Sequence, residues 1–308
     1  MTKHFELTDE TLLVEGVTLY RIRATRDLPH KHRVVRSGDL GGWVESKDNL
    51  SENAWVYDEA KIYGFGNATG TALVFGHAEV YGHAQVSGTA QVSGNAKVFD
   101  FGHVHDGMVY GNAQVYGHCE ITSNAKVYDD AIVHGFAQVT DQACVYGAAK
   151  VYGHASVEKQ AEVYGNAEVF DFVSVSGSAR VCDSARVFGH VVITNCGGVR
   201  DDAEVFGYTE VDTRMPIGGN ALVSGHVSIP VAAMIAGDAR ISGPHHVRVA
   251  RVGSGPWVTT YRTANGHRIW YDSWVGTLSQ LRSEIGTEPN WAAECDAIEK
   301  FLASWDEE

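Results

Sequence analysis

From Val56 to Val247, a branched aliphatic residue returns every sixth position. The stretch 80–101, VYGHAQVSGTAQVSGNAKVFDF, shows the beat: Val80, Val86, Val92 and Val98, with Ala84, Ala90 and Ala96 two places ahead of the last three. Sixfold steps run from Val56 to Val104. A single five-residue step then leads to Val109, and sixfold steps resume to Val247. Each position on this count is Val or Ile except Ala68. Two residues earlier stands a small residue in most repeats, with Met215 and His245 as the larger outliers.

A helix cannot use this pattern, because six residues rotate it by about 600° and the valines would drift around its surface. A short strand followed by a turn can. Residues two apart on a strand point to the same side, so the branched side chain fills an interior and the small one fits near a corner. Gly82, Gly88 and Gly94 supply the turns. Three such sides close a triangular coil of 18 residues, and the period excludes pentapeptide and glycine-rich nonapeptide solenoids. The expected fold is an all-β solenoid of about eleven coils, about 50 Å long at ~4.8 Å per stacked strand.

Residues outside the beat test the period. The outward position after each valine separates into three ladders. One carries Tyr110, Tyr128, Tyr146 and Tyr164; a second carries Tyr116, Tyr152, Phe170 and Phe188; the third, with Thr122, Thr140 and Ser176, has no aromatic. A wrong period would mix them. Lys150, Glu168, Arg186 and Glu204 alternate in sign, as stacked neighbours prefer.

A solenoid has open strand edges at its ends and needs caps. The sequence divides into an N-terminal β cap (1–52), the coils (53–252) and a C-terminal cap (253–308). The C-terminal cap reads as a hairpin turning at Asn265-Gly266 and two helices. One helix opens at Thr277 with Gln280 as a capping box and stops near Gly286. The other, from about Pro289 to Trp305, turns Trp291, Cys295, Ile298, Phe301, Leu302 and Trp305 to one face, expected to cover the last coil. With 34 glycines and 6 prolines, the chain suits many tight turns. A formal charge of −14 argues against nucleic acid as a partner. Five cysteines without a CxxC pair or zinc spacing imply reduced thiols, and no signal-like or membrane-length apolar run is present; both point to the cytoplasm.

The hexads resemble the left-handed parallel β-helix of hexapeptide-repeat proteins. The stretches SGDLGGWVESKDNLSENAWVYDEAKI (37–62) and AEVFDFVSVSGSARVCDSARVFGH (167–190) resemble YdcK-type enterobacterial proteins with a transferase label, and related phage-encoded repeat proteins. The resemblance implies left-handed coils, trimers, and in acyltransferases of this class acyl-CoA along the prism with a histidine taking the acceptor's proton.

The histidine candidates for that role are His118, His154 and His190. They belong to one corner ladder, Phe101, His118, Phe136, His154, Phe172, His190, in which histidine alternates with an aromatic. Catalysis needs one special histidine, and the ladder offers equivalent ones. Its histidines lie about 9.6 Å apart, too far to share a metal whose bonds are about 2 Å, so no metal site is expected. Asp129-Asp130 and Asp201-Asp202 read as solvated turns, and PHKHRVVR (29–36) as a solvated basic loop. No GxSxG or phosphate loop is present. Nor does a lid interrupt the coils; the break is a deletion.

The leading expectation is a non-enzymatic binding scaffold without a cofactor. It would assemble as a homotrimer through its aromatic faces, or bind a bacterial host protein. The alternative is an acyl-CoA-dependent acyltransferase.

Overall fold

The structure is a computed structural model that describes residues 3–30, 34–195, 197–285 and 288–305. It is a parallel β-solenoid of about eleven coils with a terminal antiparallel sheet and two C-terminal helices. The chain divides into two compact units, residues 1–166 and 167–308.

In the first unit, strands of two or three residues form three parallel sheets, one per side of the coil. Paired residues are 18 apart, as in Ile62 with Val80 and Val127 with Val145. Across the five-residue step the pairs shift to 17: Val92 with Val109, Val98 with Val115, Val104 with Ile121. The interior is built as expected. Val80, Val86, Val127 and Val145 are fully buried, and so are the alanines two places ahead of them. Each such valine contributes on the order of 2 kcal/mol by leaving water. Lys61, Glu79 and Lys97 stack on one side, with Glu79 2.9 Å from Lys61 and 3.4 Å from Lys97. Burial of Glu79 opposes its ionisation, but the two lysines outweigh it and hold its carboxyl below the usual range.

The solenoid begins earlier than the valine count suggests. Val44 pairs with Ile62 and Leu50 with Ala68, both at a spacing of 18, and both residues are fully buried. Leu50 follows a short 3-10 turn, Lys47–Asn49, whose Ser46 and Asn49 cap each other. Leucine at 50 and Asp48 two places ahead disguise this side. Before it, the strands Phe5–Val14 and Val17–Ala24 form an antiparallel hairpin, whose second strand pairs with Leu40–Val44.

The second unit repeats the three-sided stacking through pairs such as Val169 with Val187, Val175 with Ile193 and Val181 with Val199. Arg186 lies between Glu168 and Glu204 at 3.6 and 3.5 Å. The hexad count outlasts the parallel ladder: Val247 falls in the strand Val247–Arg251, the first of a four-stranded antiparallel sheet with Trp257–Thr263, Gly266–Tyr271 and Trp274–Gly276. The helices α1 (Leu278–Ile285) and α2 (Pro289–Ala303) pack against that sheet, with Leu281, Cys295 and Ile298 buried on Val258 and Ile269. Their face therefore covers the sheet. It is the strand Trp257–Thr263 that meets the last coil, through a bridge from Thr263 to Ala239 and a bond from the Tyr261 hydroxyl to the Ala236 carbonyl. At the start of α1, the Thr277 N–H donates to Gln280 Oε1 at 2.8 Å, the half of the capping box that the pair Thr277/Gln280 predicts. Gly286 lies outside the described residues.

Most corners hold a residue in the left-handed region, which only glycine enters without cost. Where glycine is absent, aspartate recurs: Asp58, Asp129, Asp141, Asp171, Asp183 and Asp201 have φ between 53° and 62°. Their side chains accept the backbone N–H of the corner residue 18 positions on, as in Asp129 with Gly147 at 3.2 Å and Asp201 with Gly219 at 2.7 Å. The paired carboxylates are thus not idle turn residues, since Asp130 in turn accepts from Asn112. At several glycine corners the next coil lies close: a Cβ on Gly117 would lie 2.8 Å from the Gly135 nitrogen, so a side chain there would force a shift.

Asp201→Ala should lose both the acceptor and the tolerance for left-handed backbone, at about 1 kcal/mol each. Asp201→Asn keeps both and should melt close to wild type. Thermal melts of the two variants test the assignment, which fails if Asp201→Ala is as stable as Asp201→Asn.

Candidate functional site

The outward rings form three continuous stacks in the first unit. On one side, Tyr110, Tyr128, Tyr146 and Tyr164 stand 4.8 to 4.9 Å apart and within 5° of parallel. On the next side, Tyr116 lies between Phe99 at 4.7 Å and His134 at 4.9 Å, and Tyr152 follows at 4.9 Å. At the corner beside it, His118 is held between Phe101 at 4.5 Å and Phe136 at 5.2 Å, and His154 stacks on Phe136 at 4.9 Å. The second unit carries its own stacks: Phe170, Phe188 and Phe206 at 5.0 and 4.8 Å, and Phe172, His190 and Tyr208 at 4.9 and 4.7 Å. The 18-residue register places identical positions one strand spacing apart, and flat rings fill that spacing face to face.

The stacks differ in exposure. Rings on the flat sides are half-buried, and burial raises the pKa of the Tyr110 and Tyr128 hydroxyls. Burial likewise holds His134 below the usual imidazole value. The corner rings are exposed, Phe136 by 54 % and Phe172 by 55 %. His118 and His190 each have both faces covered by a neighbouring ring, so only their edges meet water. All three candidate histidines occupy the same kind of place, and the geometry singles out none of them.

A further feature sits at the short coil. Dropping one residue removes the backbone carbonyl that the Thr89 N–H would otherwise meet. Asp106, at φ 57°, replaces it: its Oδ1 accepts from the Thr89 N–H at 2.7 Å and the Thr89 hydroxyl at 2.9 Å. These bonds hold the Asp106 carboxyl below its usual range. Above this dent lie Pro29 and His30 from the N-terminal cap, enclosing a cavity of about 330 Å³ with Leu73, Gln91, Asp106 and Met108. His30 is 8 % exposed, its Nε2 has no hydrogen-bond partner among the described residues, and burial, with His4 nearby, lowers its pKa.

This corrects two expectations. The basic stretch at 29–36 is not wholly solvated, because His30 and Val35 are buried; its residues 31–33 lie outside the described residues. The coils also have a covering segment, but it comes from the cap rather than from an insertion between hexads. The deletion was legible in the sequence. The arrival of His30 over it was not, because residues 24–40 carry no periodic signal.

Among the described residues, no group of three or more His, Cys, Asp or Glu side chains could hold a metal ion. No helix among them is long and apolar enough to cross a membrane. Among the described residues, Cys119, Cys144, Cys182 and Cys295 form no disulfide, and burial pushes the Cys119 thiol up to about 12. Cys196 lies outside the described residues. No protein-family model matches the chain, and no curated protein matches it.

His118→Ala, His154→Ala and His190→Ala should each lower stability by about 1 kcal/mol, the worth of the lost ring contacts, and leave cellular function nearly intact. Thermal melts alongside a functional assay check this. One folded variant that alone abolished function would single out its histidine and overturn the ladder reading.

Proposed function

We propose that the chain is a non-enzymatic binding scaffold whose half-buried ring stacks receive protein, first of all further copies of itself. The observation that carries this reading lies at the start of the solenoid. There the stack that begins with Tyr63 and Tyr81 is already covered, by Leu12, Val14, Val17 and Leu19 of the N-terminal hairpin, and Tyr63 falls to 7 % exposure. The molecule thus shows one solution for covering its own ring face with aliphatic side chains. Farther along, Tyr116 and Tyr152 continue the same ladder half-exposed.

Apolar stripes of this kind mark interfaces, where tyrosine is enriched. The third side, with Thr122 donating to Thr140, is polar and satisfied within itself. A homotrimer that buries the ring sides at about 25 cal/mol per Å², leaving the threonine side in water, fits this division and the resemblance to hexapeptide-repeat proteins. The likeness to phage-encoded repeat proteins makes a bacterial host protein the next partner class, and the reduced thiols suit a cytoplasmic setting.

Light scattering should give a trimer mass for the intact protein and a smaller one for the double variant Tyr152→Glu/Phe188→Glu. A monomeric wild type, or a double variant of unchanged mass, removes the proposal.

Acyl transfer is a second reading, favoured by the cavity at the short coil. His30 there, buried and with no partner for its Nε2 among the described residues, is the candidate general base, set apart by position from His118, His154 and His190. Calorimetry with coenzyme A separates the two readings. Saturable binding that is lost in His30→Ala supports transfer, and no heat leaves the scaffold.

A further inference from the structure

The short coil brings a hydroxyl, an imidazole and a carboxylate into one line. Ser87 and His105 are paired neighbours on the polar third side. The Ser87 Oγ lies 2.9 Å from His105 Nδ1, and His105 Nε2 lies 3.2 Å from Asp106 Oδ2. On the other flank of the hydroxyl, His103 Nε2 stands at 3.3 Å. Farther along this side, Thr122 and Thr140 bond hydroxyl to hydroxyl at 3.0 Å, with no base between them.

The break in the repeat explains the carboxylate. At other corners an aspartate accepts from the coil that follows, as Asp129 does from Gly147. Asp106 turns to the coil that precedes it, where the Thr89 N–H and hydroxyl hold its Oδ1 at 2.7 and 2.9 Å. That leaves Oδ2 facing His105. Gly88, beside Ser87, clears the room, because a Cβ there would collide with Asp106 Oδ1.

The roles follow from which groups can donate. A carboxylate only accepts, so in the neutral ring of His105 the proton sits on Nε2, toward Asp106, and Nδ1 is left as the acceptor. The Ser87 hydroxyl then donates to Nδ1. With its own proton on Nε2, His103 donates to the Ser87 oxygen, which directs the hydroxyl hydrogen at His105. Nucleophile, base and orienting acid thus stand in the order that activates a hydroxyl, an arrangement defined by geometry and roles rather than by position in the chain. His105 is exposed and Ser87 half-buried, which leaves the hydroxyl within reach of a small reagent.

We propose that Ser87 is a nucleophile that takes up an acyl group from an activated ester, with His105 as its base and Asp106 as the residue that positions the base. The Ser87 Oγ attacks the ester carbonyl, and its proton passes to His105 Nδ1. The bond from the carbonyl carbon to the leaving oxygen then breaks, that oxygen takes the proton from His105, and Ser87 is left as its acyl ester. This is a covalent modification of the scaffold, and it depends neither on the ring stacks nor on coenzyme A.

The test is timed exposure of the full chain to p-nitrophenyl acetate, followed by peptide mass mapping. Ser87 should gain an acetyl group at least about tenfold faster than Ser93, a half-buried outward serine of another ladder, since a positioned base contributes about a hundredfold or more. His105→Gln, which can accept a hydrogen bond but not take the proton, should remove that advantage. Asp106→Asn can keep the Thr89 bonds and the left-handed corner, but it sets an N–H against His105 Nε2 and so drives the proton to Nδ1. It should slow acetylation of Ser87 roughly tenfold or more while acetylation of Ser93 and the melting temperature stay near wild type. Circular dichroism confirms that each variant is folded, and the exposed His105→Gln decides if Asp106→Asn is not. Acetylation of Ser87 no faster than that of Ser93, or an undiminished rate in folded His105→Gln or Asp106→Asn, overturns the proposal.

Discussion

Everything in this molecule follows from the stacking of identical corners one strand spacing apart. A backbone that turns sharply every six residues places one residue in the left-handed region at most of its turns, and at most of those the next coil's backbone lies close against it. Glycine meets both demands. Aspartate meets the first at a cost, then offsets the cost by accepting the N–H of the corner 18 residues on, as Asp129 does for Gly147 and Asp201 for Gly219. A longer acid would overshoot that N–H, and an apolar residue would leave it unsatisfied. The aspartate-for-glycine exchange at corners is therefore hydrogen-bond chemistry, even though it raises the chain's negative charge.

The same register produces the ring stacks. Once corners repeat at the strand spacing, any flat residue in the outward position finds its counterpart at nearly ideal stacking distance, and a ladder becomes self-reinforcing. The alternation at the corner has its own logic. Two stacked imidazoles would repel when both are protonated. Interleaving Phe101, Phe136 and Phe172 keeps each histidine beside carbon rings, about two strand spacings from the next imidazole.

How much of this could be read from the chain depends on whether a feature repeats. The coil register, the missing residue before Val109 and the sorting of Tyr146 and Tyr152 into separate ladders all follow from counting, since each position is reported many times. Val44 and Leu50 escape the count because a single leucine and a 3-10 turn interrupt the signal, although both pair in register. The face of α2 was legible as amphipathic, but its partner was not: an apolar stripe says that something covers it, and only the fold says that Val258 and Ile269 do. The arrival of His30 was invisible for the same reason. It joins segments far apart in sequence, at a place where repetition breaks.

That distinction bears on function. Repetition makes sites equivalent, and equivalence suits an extended adhesive surface, where many weak ring contacts add, but not catalysis, which needs one residue unlike its neighbours. Singular chemistry in a solenoid must therefore gather where the repeat breaks. In this chain that place is the short coil, where Asp106 stands in for a missing carbonyl under His30 and faces His105. The ring ladders and this break are thus different kinds of surface produced by one rule: the first exist because the register holds, and the second because it fails.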